Sequence, residues 1–288
     1  MSQNEFAVES LENRRLFSLD SAVLAGGVLQ VTGTQAADTI TVGLDSTGTN
    51  VEVVITTPSV SSTPSVDKTF ALARVKSIIV HGLGGDDTIS VDATNGPLTN
   101  IKLNFYGDSG DDTLIGGADN NELLNGGEGN DIITGGDGRN VVFGGFGADT
   151  ITLGDGNNLV NGGIGNDTIT VGNGNNRIFG NVGNDTITAG DGDNYIDGGF
   201  GNDVITAGNG NNILDGDFGD DTISAGTGDN HIYGSFGSDI ITTTSIDSVI
   251  FGGAGNNTIS GELGDRIFGG PGVNVITPLP APGNHIHY

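Results

Sequence analysis

Gly162-Gly-Ile-Gly-Asn-Asp-Thr-Ile-Thr170 is one of fifteen nonapeptides that follow one another without insertion or deletion from Gly126 to Ser260. The shared pattern is Gly-Gly-x-Gly-x-Asp-x-Ile-x. Its six glycine-rich residues suit a turn that needs positive φ and unhindered carbonyls, and its last three suit a short strand with an inward central side chain. Two nonapeptides make one coil of about 18 residues, and only a stack of coils buries its apolar face.

The eighth position of every nonapeptide is apolar, which predicts a continuous hydrophobic core. In odd units, counted from Gly126, it is Ile from Ile133 to Ile259, and in even units it is Val, Ile or Leu from Val142 to Ile250. Looser units flank the array at 82–90, 107–124 and 261–277. We therefore predict an all-β fold, a right-handed parallel β-roll (β-solenoid), with an irregular β-rich N-terminal part.

The sixth position alternates between two residue types, and odd and even units lie on opposite sides of a roll. The even side forms an Asn ladder: Asn140, Asn158, Asn176, Asn194, Asn212 and Asn230. The odd side forms an Asp ladder, which two earlier residues extend: Asp87, Asp112, Asp131, Asp149, Asp167, Asp185, Asp203, Asp221 and Asp239. Carboxylates about 5 Å apart repel by roughly 3 kcal/mol at an effective dielectric near 20, so the column needs a cation. Ca²⁺ suits it because it accepts six to eight oxygen ligands in flexible geometry.

The repeats resemble those of the RTX, or haemolysin-type, calcium-binding proteins, tightly over residues 126–260 and loosely over 82–277. The resemblance implies that each Ca²⁺ lies between neighbouring turns, held by the sixth-position Asp and by turn carbonyls. The eight turns from Asp112 to Asp239 then imply about seven ions. The alternative for a single Asp is a turn residue that bonds its own backbone, which does not explain a column in register. For the even side we favour a hydrogen-bonded Asn ladder over weak ion binding by Asp137, Asp155 and Asp191.

Composition excludes several classes of protein. The chain of 288 residues has 53 Gly, 36 acidic and 9 basic residues, and a net charge of −27. Such a charge argues against partners that are nucleic acids or anionic membranes, and the Gly content argues against a helical protein. Cys is absent, so no disulfide or thiolate site forms, and no run of 18 apolar residues predicts membrane insertion.

Two outward surfaces suggest partners. The third position of odd units predicts an apolar ridge for self-association or docking to a surface or matrix component: Phe146, Ile164, Val182, Phe200, Phe218 and Phe236. The ninth and seventh positions of the same units are rich in Thr, from Thr134 to Ser260. This Thr array resembles the surface of β-solenoid ice-binding proteins, which is our alternative function.

No catalytic set emerges from the sequence. Only four His are present, and no His-Glu-x-x-His occurs. A polysaccharide-acting enzyme, our third hypothesis, would need a positioned Arg or Lys. We expect the four basic residues beyond residue 81 not to cluster: Lys102, Arg139, Arg177 and Arg266. We therefore predict a protein that is not an enzyme.

We divide the chain into an export-type segment (1–25), an irregular β-rich solenoid or cap (26–106), the calcium-binding roll (107–277) and a tail (278–288). Leu11-Glu-Asn-Arg-Arg-Leu-Phe-Ser-Leu-Asp20 resembles the LEPR-type N-terminal motif of exported bacterial proteins, although Asn13 replaces its Pro. Residues 57–68 read as a loop, and prolines in the tail predict an end to strand pairing. We expect an extracellular or cell-surface protein that is largely disordered at cytosolic Ca²⁺ and folds at extracellular Ca²⁺.

Overall fold

The computed structural model describes residues 21–58, 65–118 and 121–277, and the backbone of residues 286–287. Within these residues the chain is built of strands and turns, with one 3-10 turn at Leu72–Arg74. The strands form two sheets of 14 strands each, whose buried side chains make one continuous core. No helix in this part of the chain is long and apolar enough to cross a bilayer. The LEPR-like motif lies outside the described residues.

The first sheet carries the strands of the even units. In spatial order its strands are β1 (Ser21–Ala25), β2 (Val28–Thr32), β6 (Ser77–His81), β8 (Lys102–Ser109), β10 (Glu122–Glu128), β12 (Val141–Phe146), β14 (Leu159–Ile164), β16 (Arg177–Val182), β18 (Tyr195–Phe200), β20 (Ile213–Phe218), β22 (His231–Tyr233), β24 (Val249–Phe251), β26 (Arg266–Phe268) and β28 (Ile286–His287).

The second sheet carries the strands of the odd units. In spatial order its strands are β5 (Val66–Ala71), β4 (Asn50–Thr56), β3 (Thr39–Leu44), β7 (Thr88–Asp92), β9 (Thr113–Ile115), β11 (Ile132–Gly135), β13 (Thr150–Leu153), β15 (Thr168–Val171), β17 (Thr186–Ala189), β19 (Val204–Ala207), β21 (Thr222–Ala225), β23 (Ile240–Thr243), β25 (Thr258–Ser260) and β27 (Val275–Thr277).

Parallel pairing between neighbouring coils confirms the β-solenoid and its two-unit coil. Ile133 pairs with Ile151 and Ile151 with Ile169, each 18 residues further along the chain. Val142 and Val160 are paired in the same way on the first sheet. Every eighth-position side chain of the fifteen units is at most 1% exposed. The periodic apolar residues therefore form the core that the sequence predicts.

Several strands of the first sheet are longer than the predicted triplet. β12 begins at the seventh position of one unit and ends at Phe146, the third position of the next. Gly145 makes this continuation possible, because it has a φ of 124° and pairs directly with Gly163. A Cβ atom on Gly145 would lie less than 3 Å from the carbonyl of Gly127. The turn glycines thus bring neighbouring backbones into contact.

The ends of the roll differ from its middle. β1 pairs with β2, β3 pairs with β4, and β4 pairs with β5, all in antiparallel fashion, before parallel stacking continues. The loop expected over residues 57–68 is wrong at Val66–Lys68, which lie in β5. The expected end of pairing after residue 277 is also wrong, because β28 lies parallel to β26. The two residues of β28 come after the last proline of the chain, and each has a backbone N–H that can pair with a neighbouring strand.

Candidate metal centre

The Asp ladder lies on the inner side of the odd turns. Each of its nine members stands two residues before an inward apolar side chain, and each is at most 1% exposed. Ionised carboxylates are rarely buried to this extent without a partner, because desolvation of the charge is costly. Each coil therefore has two buried carboxylate oxygens that need a hydrogen-bond donor or a cation.

One oxygen of each carboxylate has a backbone partner. The N–H of Asp131 donates to Oδ1 of Asp149, and the N–H of Asp167 donates to Oδ1 of Asp185. The same bond recurs at 2.7 to 3.0 Å along the whole column, always from one coil to the next. The column is thus held in register by its own backbone.

The other oxygen has no partner. Oδ2 is buried without a hydrogen bond in all nine members of the Asp ladder. In the central coils it faces the first glycine of its own unit: a Cβ atom on Gly180 would lie less than 3 Å from Asp185 Oδ2 and from the carbonyl oxygen of Gly198. Gly144 has the same relation to Asp149 and Gly162. Each such turn therefore brings a free carboxylate oxygen and a carbonyl of the next coil to one point.

Burial disfavours the charged form of these carboxylates. It raises the pKa of Asp87 to about 8, and of Asp112, Asp149, Asp185 and Asp221 to about 7. The pKa values of the other four members also rise, chiefly through burial. The N–H donor opposes the rise, while neighbouring carboxylates add to it at several members, such as Asp149. Without a cation, the column thus holds its charge only at an electrostatic cost.

The donor set fits Ca²⁺. It consists of carboxylate and carbonyl oxygens, which a hard cation prefers, and it offers neither thiolate nor imidazole. In the part of the chain that the structure describes, no three carboxylate or imidazole groups converge on a single point. The acids form a column instead, so a cation between two coils would share their carboxylates and complete its shell with carbonyls.

The Asn ladder shows how the same turn is satisfied without a cation. Asn194 Oδ1 accepts the backbone N–H and the side-chain amide of Asn176, at 3.1 and 3.0 Å. Asn194 Nδ2 donates to the carbonyls of Gly190 and Gly192. These bonds confirm the predicted hydrogen-bonded Asn ladder. The side-chain amide thus donates to turn carbonyls of its own unit, at the second and fourth positions, whereas the Asp side has no such donor.

Three features of these columns were not predicted from the sequence. Asp38 joins the Asp ladder, since its N–H donates to Asp87 Oδ1 while its own oxygens accept from Thr34 and Thr57. Asp38-Thr-Ile-Thr41 repeats the last four residues of a unit, and this signal was available. Glu122 lies at the ladder position one coil before Asn140, but Asn140 Oδ1 has no partner, and Glu122 is buried with Oε2 unpartnered.

The third missed feature is a set of outer columns. Fifth-position Asn and Asp side chains accept backbone N–H groups from the following coil, as Asn166 accepts from Asn184. Third-position residues of even units do the same, so Asp137 accepts from Asp155. The recurrence of Asn and Asp at these positions was the available signal. Asp137, Asp155 and Asp191 are exposed.

The basic residues beyond residue 81 contradict the expectation that none cluster. Lys102 and Arg139 line the same cavity, because an overhanging loop and the coil register bring them together. Arg177 instead stacks on the rings of Phe179 and Tyr195, 5.0 Å from each centroid. Arg266 lies over Phe268.

Both outward surfaces predicted from the sequence exist as exposed rows. The members of the apolar ridge are 41–59% exposed, and its five units from Phe146 to Phe218 pair in register. Phe200, Phe218 and Phe236 stack at 4.9 and 4.8 Å between ring centroids. On the second sheet, the Thr array is also in register: Thr134 pairs with Thr152, Thr152 with Thr170, and Thr170 with Thr188.

Comparison with known protein families gives one result. The family described as the RTX calcium-binding nonapeptide repeat matches the chain in nine overlapping windows, which together run from residue 104 to residue 276. The matches cover more than half of the chain and include every member of the Asp ladder except Asp87. A comparison with curated proteins found no match.

Proposed function

The chain belongs to the RTX calcium-binding nonapeptide repeat family, and from this membership we propose that its β-roll folds on Ca²⁺ outside the cell and has a structural or adhesive role there. The observation that carries the proposal is the unpartnered, buried Oδ2 in each of nine stacked Asp residues. A column of this kind is costly without a cation and becomes a set of ligands with one.

In this proposal, the Asp ladder and the first-position glycine carbonyls hold the ions. Bound Ca²⁺ supplies positive charge between coils, and the protein supplies the spacing and the exclusion of water. Eight turns from Asp112 to Asp239 leave about seven gaps, so we expect about seven ions, and Asp87 adds one further ligand at the irregular end. Equilibrium dialysis with radioactive Ca²⁺ counts the ions. A stoichiometry of one or two would contradict the assignment.

Mass action couples these sites to folding. A site at tenfold its Kd adds about 1.4 kcal/mol, so seven add about 10 kcal/mol, comparable to the whole stability of a domain. Low cytosolic Ca²⁺ would leave the roll largely unfolded, and extracellular Ca²⁺ would fold it. This difference supports an extracellular or cell-surface location. Limited proteolysis tests it: chelator should expose the repeats to cleavage, and millimolar Ca²⁺ should protect them.

The apolar ridge is the surface that we propose for self-association. It is a contiguous row of exposed apolar side chains, and such rows generally mark interaction sites. Light scattering in Ca²⁺ should show an assembly whose mass falls in Phe218→Ser and in Phe200→Ser/Phe236→Ser. Phe143→Ser, which removes an exposed ring outside the ridge, is the control. A monomeric wild-type protein, or a loss of mass in the control alone, would refute self-association through this row.

Ice binding is the second candidate, because the Thr array is exposed and in register from coil to coil. Ile132, Val204 and Ile240 interrupt its second column. Thermal hysteresis of the Ca²⁺-loaded protein tests this alternative, and its absence rejects it. We propose a non-enzymatic role in either case, which suits a family whose repeats build a scaffold.

A further inference from the structure

One cavity of about 820 Å³ opens where the cap meets the first regular coils. Its floor is the outer face of β8, β10 and β12, where Asn104 pairs with Leu123 and Leu123 with Val141. Its roof is the segment between β7 and β8, nine residues long, whereas five residues connect β11 to β12 in a regular coil. Leu98 anchors this segment by complete burial, so its neighbours Pro97 and Thr99 have fixed positions.

The cavity lining is rich in positive charge, whereas the chain as a whole is strongly negative. Lys102 and Arg139 both line it, in a chain with only nine Lys and Arg against 36 acids. Glu122 is the one acid among the described lining residues; it is 3% exposed and its Oε1 already accepts the N–H of Gly117. Even with Glu122 ionised, these described residues carry a net positive charge.

Neither cation has an ion pair or a side-chain hydrogen bond in the part of the chain that the structure describes. Among the described residues, no carboxylate lies within 4 Å of the Lys102 ammonium or of the Arg139 guanidinium. Arg177 and Arg266, by contrast, are held by aromatic rings. Arg139 stands at the fifth position, where the other six even units have Asn or Asp, and its N–H donates to Asn121 Oδ1 at 2.8 Å. The backbone of Arg139 thus makes the hydrogen bond that is typical of the outer column, whereas its side chain is a cation instead of Asn or Asp.

The remaining groups match a hydroxylated ring. The amides of Asn100, Asn104 and Asn121 and the hydroxyl of Thr99 line the same space as Ile101, Leu123 and Val141. Amides donate to and accept from hydroxyls, and apolar side chains cover the C–H face of a ring. Binding pockets for small molecules combine an apolar wall with a few placed polar groups in this way, at about 300–1,000 Å³. Two cations would hold one carboxylate through charge-assisted bonds.

We propose that this cavity binds the carboxylate and hydroxyl groups of an acidic sugar residue, with Lys102 and Arg139 as the carboxylate-binding pair. The site is distinct from the Asp ladder, and it does not depend on the ridge. It gives the roll a specific anionic ligand although the chain as a whole repels anions. Its ligand is a free uronate or the uronate end of a glycan.

Isothermal titration calorimetry of the Ca²⁺-loaded full chain tests the proposal with D-glucuronate, D-glucose and acetate as probes. We expect glucuronate to bind at least tenfold more tightly than either of the others, because glucose lacks the carboxylate and acetate lacks the hydroxyls. Lys102→Gln/Arg139→Gln should weaken glucuronate at least tenfold. Arg177→Gln/Arg266→Gln, which removes an equal charge outside the cavity, should not. The methyl glycoside distinguishes a glycan end, which it mimics, from the free sugar, and binding of either upholds the site.

Three results would overturn the proposal. They are binding of neither glucuronate nor its methyl glycoside, an affinity for acetate equal to that for glucuronate, and an unchanged affinity for glucuronate in the double variant. Both substituted side chains are exposed, so the variants should fold. Ca²⁺-induced circular dichroism of each variant verifies this independently. Because that readout reports the metal sites alone, a failure of sugar binding is separable from a failure of Ca²⁺-dependent folding.

Discussion

Replacing Asp185 by Asn should have opposite effects on stability without and with Ca²⁺. In chelator, the wild-type carboxylate is buried with Oδ2 unpartnered, and burial raises its pKa to about 7. A buried acceptor without a donor costs about 1–3 kcal/mol, so we expect the Asp185→Asn substitution to stabilise the metal-free fold by about 2 kcal/mol. The Asn ladder shows why, since Asn194 Nδ2 donates to two turn carbonyls.

With Ca²⁺ the sign should reverse. Asp185 flanks two gaps, and a site at 100 times its Kd contributes about 2.7 kcal/mol, so the loss is about 5 kcal/mol. Against the gain of about 2 kcal/mol, the variant should be about 3 kcal/mol less stable than wild type. Circular dichroism measures both cases, during folding by trimethylamine N-oxide in chelator and during urea unfolding in saturating Ca²⁺.

The matched control is Asn194→Asp on the opposite side of the roll. It removes two bonds to turn carbonyls and adds a buried charge, so it should destabilise the protein in chelator. Destabilisation of the metal-free chain by Asp185→Asn, or a Ca²⁺ dependence of its stability equal to that of wild type, would contradict this role of Asp185.

Acid should partly replace Ca²⁺. Because burial raises the pKa values of the Asp ladder to about 6–8 in the folded state, folding takes up protons, and the stability of the metal-free protein should be greatest near pH 4 and fall towards pH 8. A β signal in chelator that grows with pH would contradict this. Gly180→Ala should cost about 1–3 kcal/mol in urea unfolding with Ca²⁺, because its Cβ collides with Asp185 Oδ2 and the Gly198 carbonyl. Ile187→Ala, in the fully buried column, should cost about 2–5 kcal/mol in the same urea unfolding with Ca²⁺, and an equal loss in Thr188→Ala at the exposed neighbour would argue against core packing as the cause.

The repeats could be predicted from the sequence because their period fixes both register and side. A constant spacing of nine residues places Ile133 opposite Ile151 and separates Asp from Asn without any knowledge of the coordinates. The hydrogen-bonded Asn ladder followed from the same spacing. Strand length did not, because it depends on glycine turns that pair backbone to backbone, as Gly145 does with Gly163.

The irregular regions were harder, for physical reasons. Glu122 lies at the ladder position because Leu123 pairs with Val141, although the spacing of glycines from Gly116 would place Asn121 there. Lys102 and Arg139 are 37 positions apart in sequence, and they line one cavity because a long connection lies beside the stacked strands β8, β10 and β12. Non-periodic contacts of this kind depend on the path of the loop, which composition does not encode.

Far-UV circular dichroism of the full chain at neutral pH, during a Ca²⁺ titration from excess chelator, tests most directly whether cations fold the roll. We expect little β signal in chelator, a cooperative gain as Ca²⁺ fills the Asp ladder, and reversal when chelator is restored. A full β signal in excess chelator, unchanged by Ca²⁺, would contradict the claim that the cations fold the roll.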